Sequence, residues 1–591
     1  MMKSMTLNNL KKYIFGGLIA FSMSALLSCD NLFKDAPINK ISETEVWQNP
    51  MMLDEYVNSW YRDIGSGFKT FVPSIGLVKS ASKYYLPWFG DQISVGKTDW
   101  FNAGYGDLLK GSELEITNWA RYNWNSYFTQ IQAINKLFEN KANIADGEQK
   151  TRILGEAHFL RGYYYYILWR LHGGVMIIDH TYNPLIKAEK FPRASYQQMV
   201  DFIVSEADEA ARSLPEKNVS ANAGRATKGT ALMLKAKAYL WASSEVFQNK
   251  PDSLNYLGFT GDNSREMLGK AKVAYEELMA LGVYKLLPIA ATTQDGIRDE
   301  YRQIFLTKNS DESIFEIQHS DDGDYATKYG HTLDRDAASP FFTGITAAYT
   351  PTQNHVDEYG MRNGAVYNPK QPYDNRDYRF YANVLYDGCT YRNHVMDIHY
   401  TNNVAGVDLT KYGTSTSASV TRTGYYLGKF VDPTQTIDDN KTKASNQNYI
   451  IWRYAEVLLD YAEVLYRLGD TAGALSQVNK IRSRVHMDEL GSLTWEQLVN
   501  ERRVEMAFEE TTYWDFFRWG IAEKKLNGKT NPLKAMRVDL KSNGTYTYKV
   551  SNLNRFPGRI RKFDAKQYYL PIPWNEVKYH GVKQNPDWTE V

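Results

Sequence analysis

Residues 461–484 read YAEVLYRLGDTAGALSQVNKIRSR. Apolar residues recur three and four apart on both sides of Gly469-Asp470, the spacing of a helix with one buried face. The stretch is therefore a helix, a turn and a second helix whose Ala474, Leu475 and Val478 pack inward. Residues 227–239 followed by 270–281 have the same form. Working outward, the spacing predicts helices over 116–140, 148–171, 196–214, 227–247, 265–281, 449–468, 471–484, 494–510 and 512–525. Gly173-Gly174 and Pro215 supply stops, and Thr227 supplies a cap. Residues 283–445 differ, being rich in Gly, Tyr, Asp, Asn and Thr with short β-like pieces such as 313–318. The expected fold is mainly α, with a helical scaffold over 116–282 and 449–525 flanking a loop-rich insert at 283–445.

The paired helices resemble tetratricopeptide hairpins, in which no hairpin buries its apolar face without a stacked neighbour. Aromatics form 14% of the 591 residues, with 43 Tyr and 14 Trp, residues whose apolar faces and polar tips suit wet recognition surfaces. The net charge is +1; residues 1–28 carry Lys3, Lys11 and Lys12 and no acid, so without them it is −2. No basic stripe remains to neutralise phosphates, which argues against nucleic-acid binding. HExxH, P-loop and GxSxG motifs and zinc-spaced Cys/His clusters do not occur, so the reading is of a non-enzyme.

The first twelve residues are basic, and residues 13–27 form a charge-free run shorter than the roughly twenty needed to span a bilayer. They read as a signal peptide over 1–28. Leu26-Leu27-Ser28-Cys29 resembles the bacterial lipobox, which implies cleavage before Cys29 and acylation of its thiol. Several acyl chains on Cys29 hold durably where one holds marginally. Asp30 and the polar stretch after it resemble the export tag of surface lipoproteins in Bacteroidota. Residues 29–45, with Pro37, read as a lipidated tether and 46–591 as one binding unit. Cys389, the other cysteine, reads as a small buried hydrophobe.

Several segments then fall into one order: EAHFLRGYY at 156–164, HGGVMI at 172–177, GRATKG at 224–229, RYAEV at 453–457 with YAE at 461–463, NKIR at 479–482, ERRVE at 501–505 with WDFFRW at 514–519, and LPIP at 570–573 with QNP at 584–586. Together they are similar to the SusD/RagB family of nutrient-binding outer-membrane lipoproteins. Gly162, Met176 and Asp587 stand where that pattern has Ala, Pro and Gly. The resemblance implies four tetratricopeptide-like hairpins as scaffold, a glycan ligand, and a SusC-like TonB-dependent transporter that the protein covers as a hinged lid. The charged motif residues Glu156, Arg161, Glu456, Glu501 and Arg503 read as interhelical ion pairs, because buried charges must be paired.

Ligand contacts belong on loops carried by such a scaffold. Residues 83–105 offer Trp88, Asp91, Trp100 and Phe101, and residues 319–349 offer Tyr325, Tyr329 and Phe342. Related proteins carry glycan-stacking aromatics roughly there. A pyranose lays its C–H face on such rings and turns its hydroxyl edge to acids and amides. Each stacked ring contributes about 2–3 kcal/mol. No cofactor is expected, although the acidic run 320–324 has the oxygen donors of a structural calcium loop. Peptide capture, glycoside hydrolysis and a purely structural lid are the competing readings.

Overall fold

The structure is a computed structural model that describes residues 43–64, 67–68, 90–94, 111–182, 190–320, 329–343, 347, 349–410, 420–435, 437, 445–553 and 560–589. The lipobox and the tether through residue 42 lie outside the described residues. The chain divides at Tyr56–Val57 into two compact units, a point inside the helix Pro50–Tyr61. In the first, Trp47 packs edge-on against Tyr56 at 5.3 Å.

The second unit begins its scaffold with α1 (Glu113–Asn140), whose N-terminus is capped by Ser112 accepting from the Glu115 N–H. Ile131, Ile134 and Leu137 are buried, as the periodicity predicts. Helix α2 (Glu148–His172) is buried on nearly every side, and the run Tyr163–Tyr166 lies wholly inside. Helices α3 (Tyr196–Ser213) and α4 (Lys228–Ala242) open on capping boxes, Ser195 with Gln198 and Thr227 with Thr230. Helix α5 (Ser264–Ala280) closes this block. Each helix packs on the next, α1 on α2 through α4 on α5.

The insert contributes α6 (Gln294–Leu306), which the sequence reading left among loops, and β1 (Ser313–Ile317). Strands β2 (His399–Thr401) and β3 (Val404–Ala405) follow. Residues 449–453, expected as the start of a helix, form strand β4 (Tyr449–Arg453), antiparallel to β1. Five residues reading YIIWR are aromatic and β-branched, and β1 offers them a partner edge that a helix would forgo. The second helical block is α7 (Tyr454–Leu468), α8 (Thr471–Arg484), α9 (Trp495–Glu505) and α10 (Thr511–Arg518). Gly469 ends α7 at φ +99, the left-handed conformation that glycine adopts without strain. Helix α9 stops five residues earlier than expected, before left-handed Phe508 and Glu510. Left-handed Gly520 likewise separates α10 from Ala522–Leu526. Helix α5 packs on α7, which joins the two blocks across the insert. Beyond them, β5 (Lys534–Leu540) and β6 (Tyr546–Asn552) form a hairpin, and β5 runs parallel to β2 in a four-stranded sheet ordered β6-β5-β2-β3.

Buried charge ties scaffold to insert. Arg453, at the end of β4, reaches Glu312 and Glu505 at 2.8 Å and Glu509 at 2.7 Å, all four buried. Arg484 from α8 also holds Glu312, at 2.9 Å, and Glu505. From the insert, Arg379 reaches Glu501 at 2.6 Å and Glu505 at 3.1 Å, and Lys429 reaches Glu509. A second network centres on Arg502 of α9, which meets Asp460 at 2.6 Å and Asp515 at 2.7 Å. Lys237 and Arg518 complete it on Glu456, Asp515 and Glu463. Arg161 grips Glu206 through two nitrogens at 2.7 and 2.8 Å. Glu156 accepts from Arg152, Arg225 and Tyr61. Arg161, Glu456 and Glu501 thus form the expected interhelical pairs, on Glu206, Lys237 and Arg482, whereas Glu156 pairs within its own helix and with Arg225 of a loop. Cys389 is half-buried against the insert core.

The glycine pair after α2 has separate reasons. Gly173 is left-handed at φ +75 and ends the helix. At Gly174 an added Cβ would collide with the Ala194 carbonyl, which is backbone and cannot rotate away. Gly174→Ala is therefore expected to cost about 1–3 kcal/mol by overpacking. Thermal unfolding measures this, and an unchanged midpoint would refute the argument.

Candidate functional site

The first segment expected to carry ligand contacts, 83–105, pairs at its described residues with the chain directly after the second, 319–349. Ile93 pairs with Pro351 and Ser94 with Thr350 in a short antiparallel ladder. The Thr352 N–H and hydroxyl donate to the Gln92 and Asp91 carbonyls, and the Thr350 hydroxyl donates to the Ser94 carbonyl. Gln92 is buried and reaches into the scaffold, donating to the Arg503 carbonyl at 3.2 Å and accepting from the Phe508 N–H at 3.1 Å. Segments separated by more than 200 residues in sequence are thereby joined and pinned to the chain after α9. Trp88, Trp100, Phe101 and Tyr325 lie outside the described residues, as does the acidic run 320–324 beyond Ser320.

Asp91 does not stand where the sequence reading placed it. It is buried, with its carboxylate on Arg503 at 2.7 Å and on the Asn531 amide at 3.1 Å. Burial alone would raise its pKa, but the Arg503 guanidinium overcomes that and holds it at about 2. Its chemistry is that of a structural ion pair, and Arg503 shares itself between Asp91 and Glu358. A sequence shows an acid beside aromatics; it does not show a partner 412 residues away.

Tyr329 is 51% exposed, and its carbonyl accepts from the His319 ring at 2.7 Å and from the Ser320 N–H at 3.2 Å. Phe342 is half-buried and edge-on to Tyr391 and His394, each at 5.6 Å. Its neighbour Phe341 is the more available ring, 45% exposed and stacked flat on His394 at 3.8 Å and 10°. The backing is rigid because His394 Nε2 donates to Asp408 at 2.8 Å. Asp408, wholly buried, also accepts from the Asp397 N–H at 2.7 Å and from the Ser339 hydroxyl. An exposed ring on a fixed backing suits stacking against an apolar ring face. Neither His394 nor Asp408 was foreseen. No local signal marks them, since His394 lies in a two-residue strand and Asp408 in a single 3-10 turn, both too short for periodicity. Tyr367, 43% exposed beside Arg376 at 4.8 Å, was missed for the same reason.

Two cavities lie elsewhere in this unit. One of about 320 Å³ is bounded by residues 217–227, Tyr284 and residues 309–316. A smaller one of about 60 Å³ lies among α2, α4, β4 and α10. Of the described sequence-named ligand residues, Asp91, Tyr329 and Phe342, none lines either.

A model of the SusD family matches residues 311–588, and a second, described as starch-binding and associating with the outer membrane, matches residues 72–240. The chain belongs to the SusD/RagB family. A SusD-like protein of Formosa agariphila, P38, is 23% identical over 549 residues, covering 88% of this chain and 94% of that one. A SusD-like protein from Bacteroides fragilis superposes with a TM-score of 0.72 at 24% identity, over 94% of this chain and all of the other. A SusD-like carbohydrate-binding protein from the same species gives 0.68 at 21% identity, over 90% and 98%. The mainly α SusD-like fold expected from the sequence is the fold observed. Another solved structure, with a TM-score of 0.60 at 19% identity, is described as a laminarin-binding SusD-like protein. Among the described residues no helix is long and apolar enough to cross a membrane.

Proposed function

We propose that this SusD-family protein is a surface lipoprotein, anchored to the outer membrane through Cys29, that captures a nutrient glycan and delivers it to a SusC-like TonB-dependent transporter. The observation that carries the reading is the ladder of Ile93–Ser94 with Thr350–Pro351, which joins the bases of two aromatic-rich segments on a charge-locked scaffold. The flat Phe341–His394 pair adds a platform of the required kind. No bond-breaking step is assigned to it. Trp88, Trp100, Phe101, Tyr325, Tyr329 and Phe342 are the residues offered to the sugar, and Phe341 joins them. Asp91 does not, because its carboxylate is taken.

Calorimetry and affinity electrophoresis against a polysaccharide panel test the reading. One polymer is expected to bind, and Trp88→Ala and Trp100→Ala are each expected to weaken it about 30-fold or more, the equivalent of about 2–3 kcal/mol per ring. Binding unaltered in both variants points to a structural lid. Capture of peptides with no polysaccharide bound replaces the sugar, and release of reducing ends replaces binding with hydrolysis.

A further inference from the structure

We infer that Asp387, Asp397 and His399 form a binding site for a divalent transition-metal ion of the zinc class. The three sit where the turn after Val384–Leu385 meets the start of β2, and one donor atom from each lies within 4.8 Å of the other two. His399 Nδ1 is 2.8 Å from Asp387 Oδ1 and 3.2 Å from Asp397 Oδ1. Donors around tetrahedral zinc, each about 2.1 Å from the ion, stand about 3.4 Å from one another. The observed spacing is therefore close to that of a coordination shell.

Two further observations point to a cation. Asp397 Oδ1 is buried and accepts no hydrogen bond, whereas Oδ2 is fixed by the Val407 N–H at 3.1 Å. One oxygen is held so that the other faces His399 at 3.2 Å, whose Nδ1 already hydrogen-bonds Asp387 at 2.8 Å. In Asp387 the Ile398 N–H, at 2.8 Å, holds Oδ1, the oxygen that also meets His399. A single imidazole proton cannot serve two carboxylates well, and a divalent ion can. Two carboxylates brought onto one imidazole nitrogen gain from a positive charge between them. One imidazole with two carboxylates suits zinc or manganese, whereas calcium takes oxygen donors alone. The Tyr546 ring closes the imidazole side, edge-on at 5.5 Å. An ion here also steadies Asp397, whose N–H holds the Asp408 that backs His394 and Phe341. The inference does not depend on the glycan reading.

The test uses the untagged full chain, stripped with chelator and titrated with ZnCl2 by calorimetry, with X-ray absorption at the zinc edge. One equivalent is expected, ligated by one imidazole nitrogen and oxygens, and raising the thermal midpoint. His399→Ala and Asp397→Asn are each expected to weaken uptake at least about tenfold. Asp397→Asn keeps the side-chain shape and decides the matter if His399→Ala fails to fold. No saturable uptake, uptake unaltered by Asp397→Asn, an edge spectrum without nitrogen, or equal competition by CaCl2 would each overturn the site.

Discussion

Arg453→Met is expected to destabilise the protein by about 3–5 kcal/mol, the cost of removing one partner from a buried ion network. Arg453 is fully buried and spends its guanidinium on Glu312, Glu505 and Glu509. Methionine fills much of the same volume, so the loss is electrostatic rather than a cavity. Three buried carboxylates would keep only Arg484, Arg379 and Lys429 between them. Burial pushes Glu505 upward, but Arg484, Arg453 and Arg379 together hold it well below the usual carboxylate range. Without Arg453 part of that restraint goes. The Arg453→Met/Glu509→Gln double variant is expected to recover part of the loss, because neighbours in one network are not additive. Urea unfolding reads both changes. A midpoint for Arg453→Met within error of wild type would remove the claim that this hub joins scaffold to insert.

The location of that hub explains how much the sequence revealed. The segments that carry the SusD resemblance supply the buried charges themselves: Glu156 and Arg161 of α2, Arg453 and Glu456 at the start of α7, and Glu501, Arg502, Arg503 and Glu505 on α9. They are legible because helices joined by ion pairs fix both residue type and spacing. Helix α8 matches its expected bounds residue for residue, since Asp470 caps one end and the apolar stripe is unbroken. Failures occur where long-range partners overrule local spacing. Tyr449–Arg453 is a strand because β1 lies beside it, 132 residues or more away in sequence for the Ile317–Tyr449 pair. The hairpin β5–β6 was overlooked although Asn543-Gly544 between alternating segments is a hairpin signal. Helix α6 was hidden by the polar composition around it, although Ile297, Tyr301, Ile304 and Phe305 are spaced for one helical face, which packs into the insert core. In the segments proposed to meet a ligand, local reading did not extend to single residues. Asp91 went to Arg503, and Phe341 rather than Phe342 presents the exposed ring. The scaffold follows a spacing code, and loops that meet a ligand have none.

Acid is expected to destabilise the protein well before its carboxylates protonate, through three buried histidines. Burial pushes His172 down to about 3 and His319 to about 4, and it takes His331 well below its ordinary value. Geometry requires the same of His331: Nε2 donates to the Gln447 carbonyl at 2.9 Å while Nδ1 accepts the Leu333 N–H at 3.2 Å, so no nitrogen is left for a second proton. His319 donates Nδ1 to the Tyr329 carbonyl, and its Nε2 is buried with no partner to accept a charged N–H. Each folded pKa lies below the unfolded value of about 6.5. Between the two the unfolded chain binds more protons, so stability is fully present above about pH 6.5 and is lost as pH falls toward 4. At pH 4.5, two units below the unfolded value, His172 and His319 each account for about 2.7 kcal/mol of that loss, at 1.36 kcal/mol per unit. The carboxyls raised by burial, among them Asp334 and Glu456, titrate with the opposite sign and offset part of it. A variant therefore isolates the effect better than the wild-type curve. His172→Phe keeps the edge-on contact with Trp124, at 5.2 Å in the native protein, and removes the titrating nitrogen. Its unfolding free energy is expected to fall less steeply than wild type between pH 6 and 4.5, by about 1.4 kcal/mol per pH unit. Parallel curves for the two proteins in denaturant titrations across that range would show that His172 carries its proton in the folded state, and the argument from burial would fail.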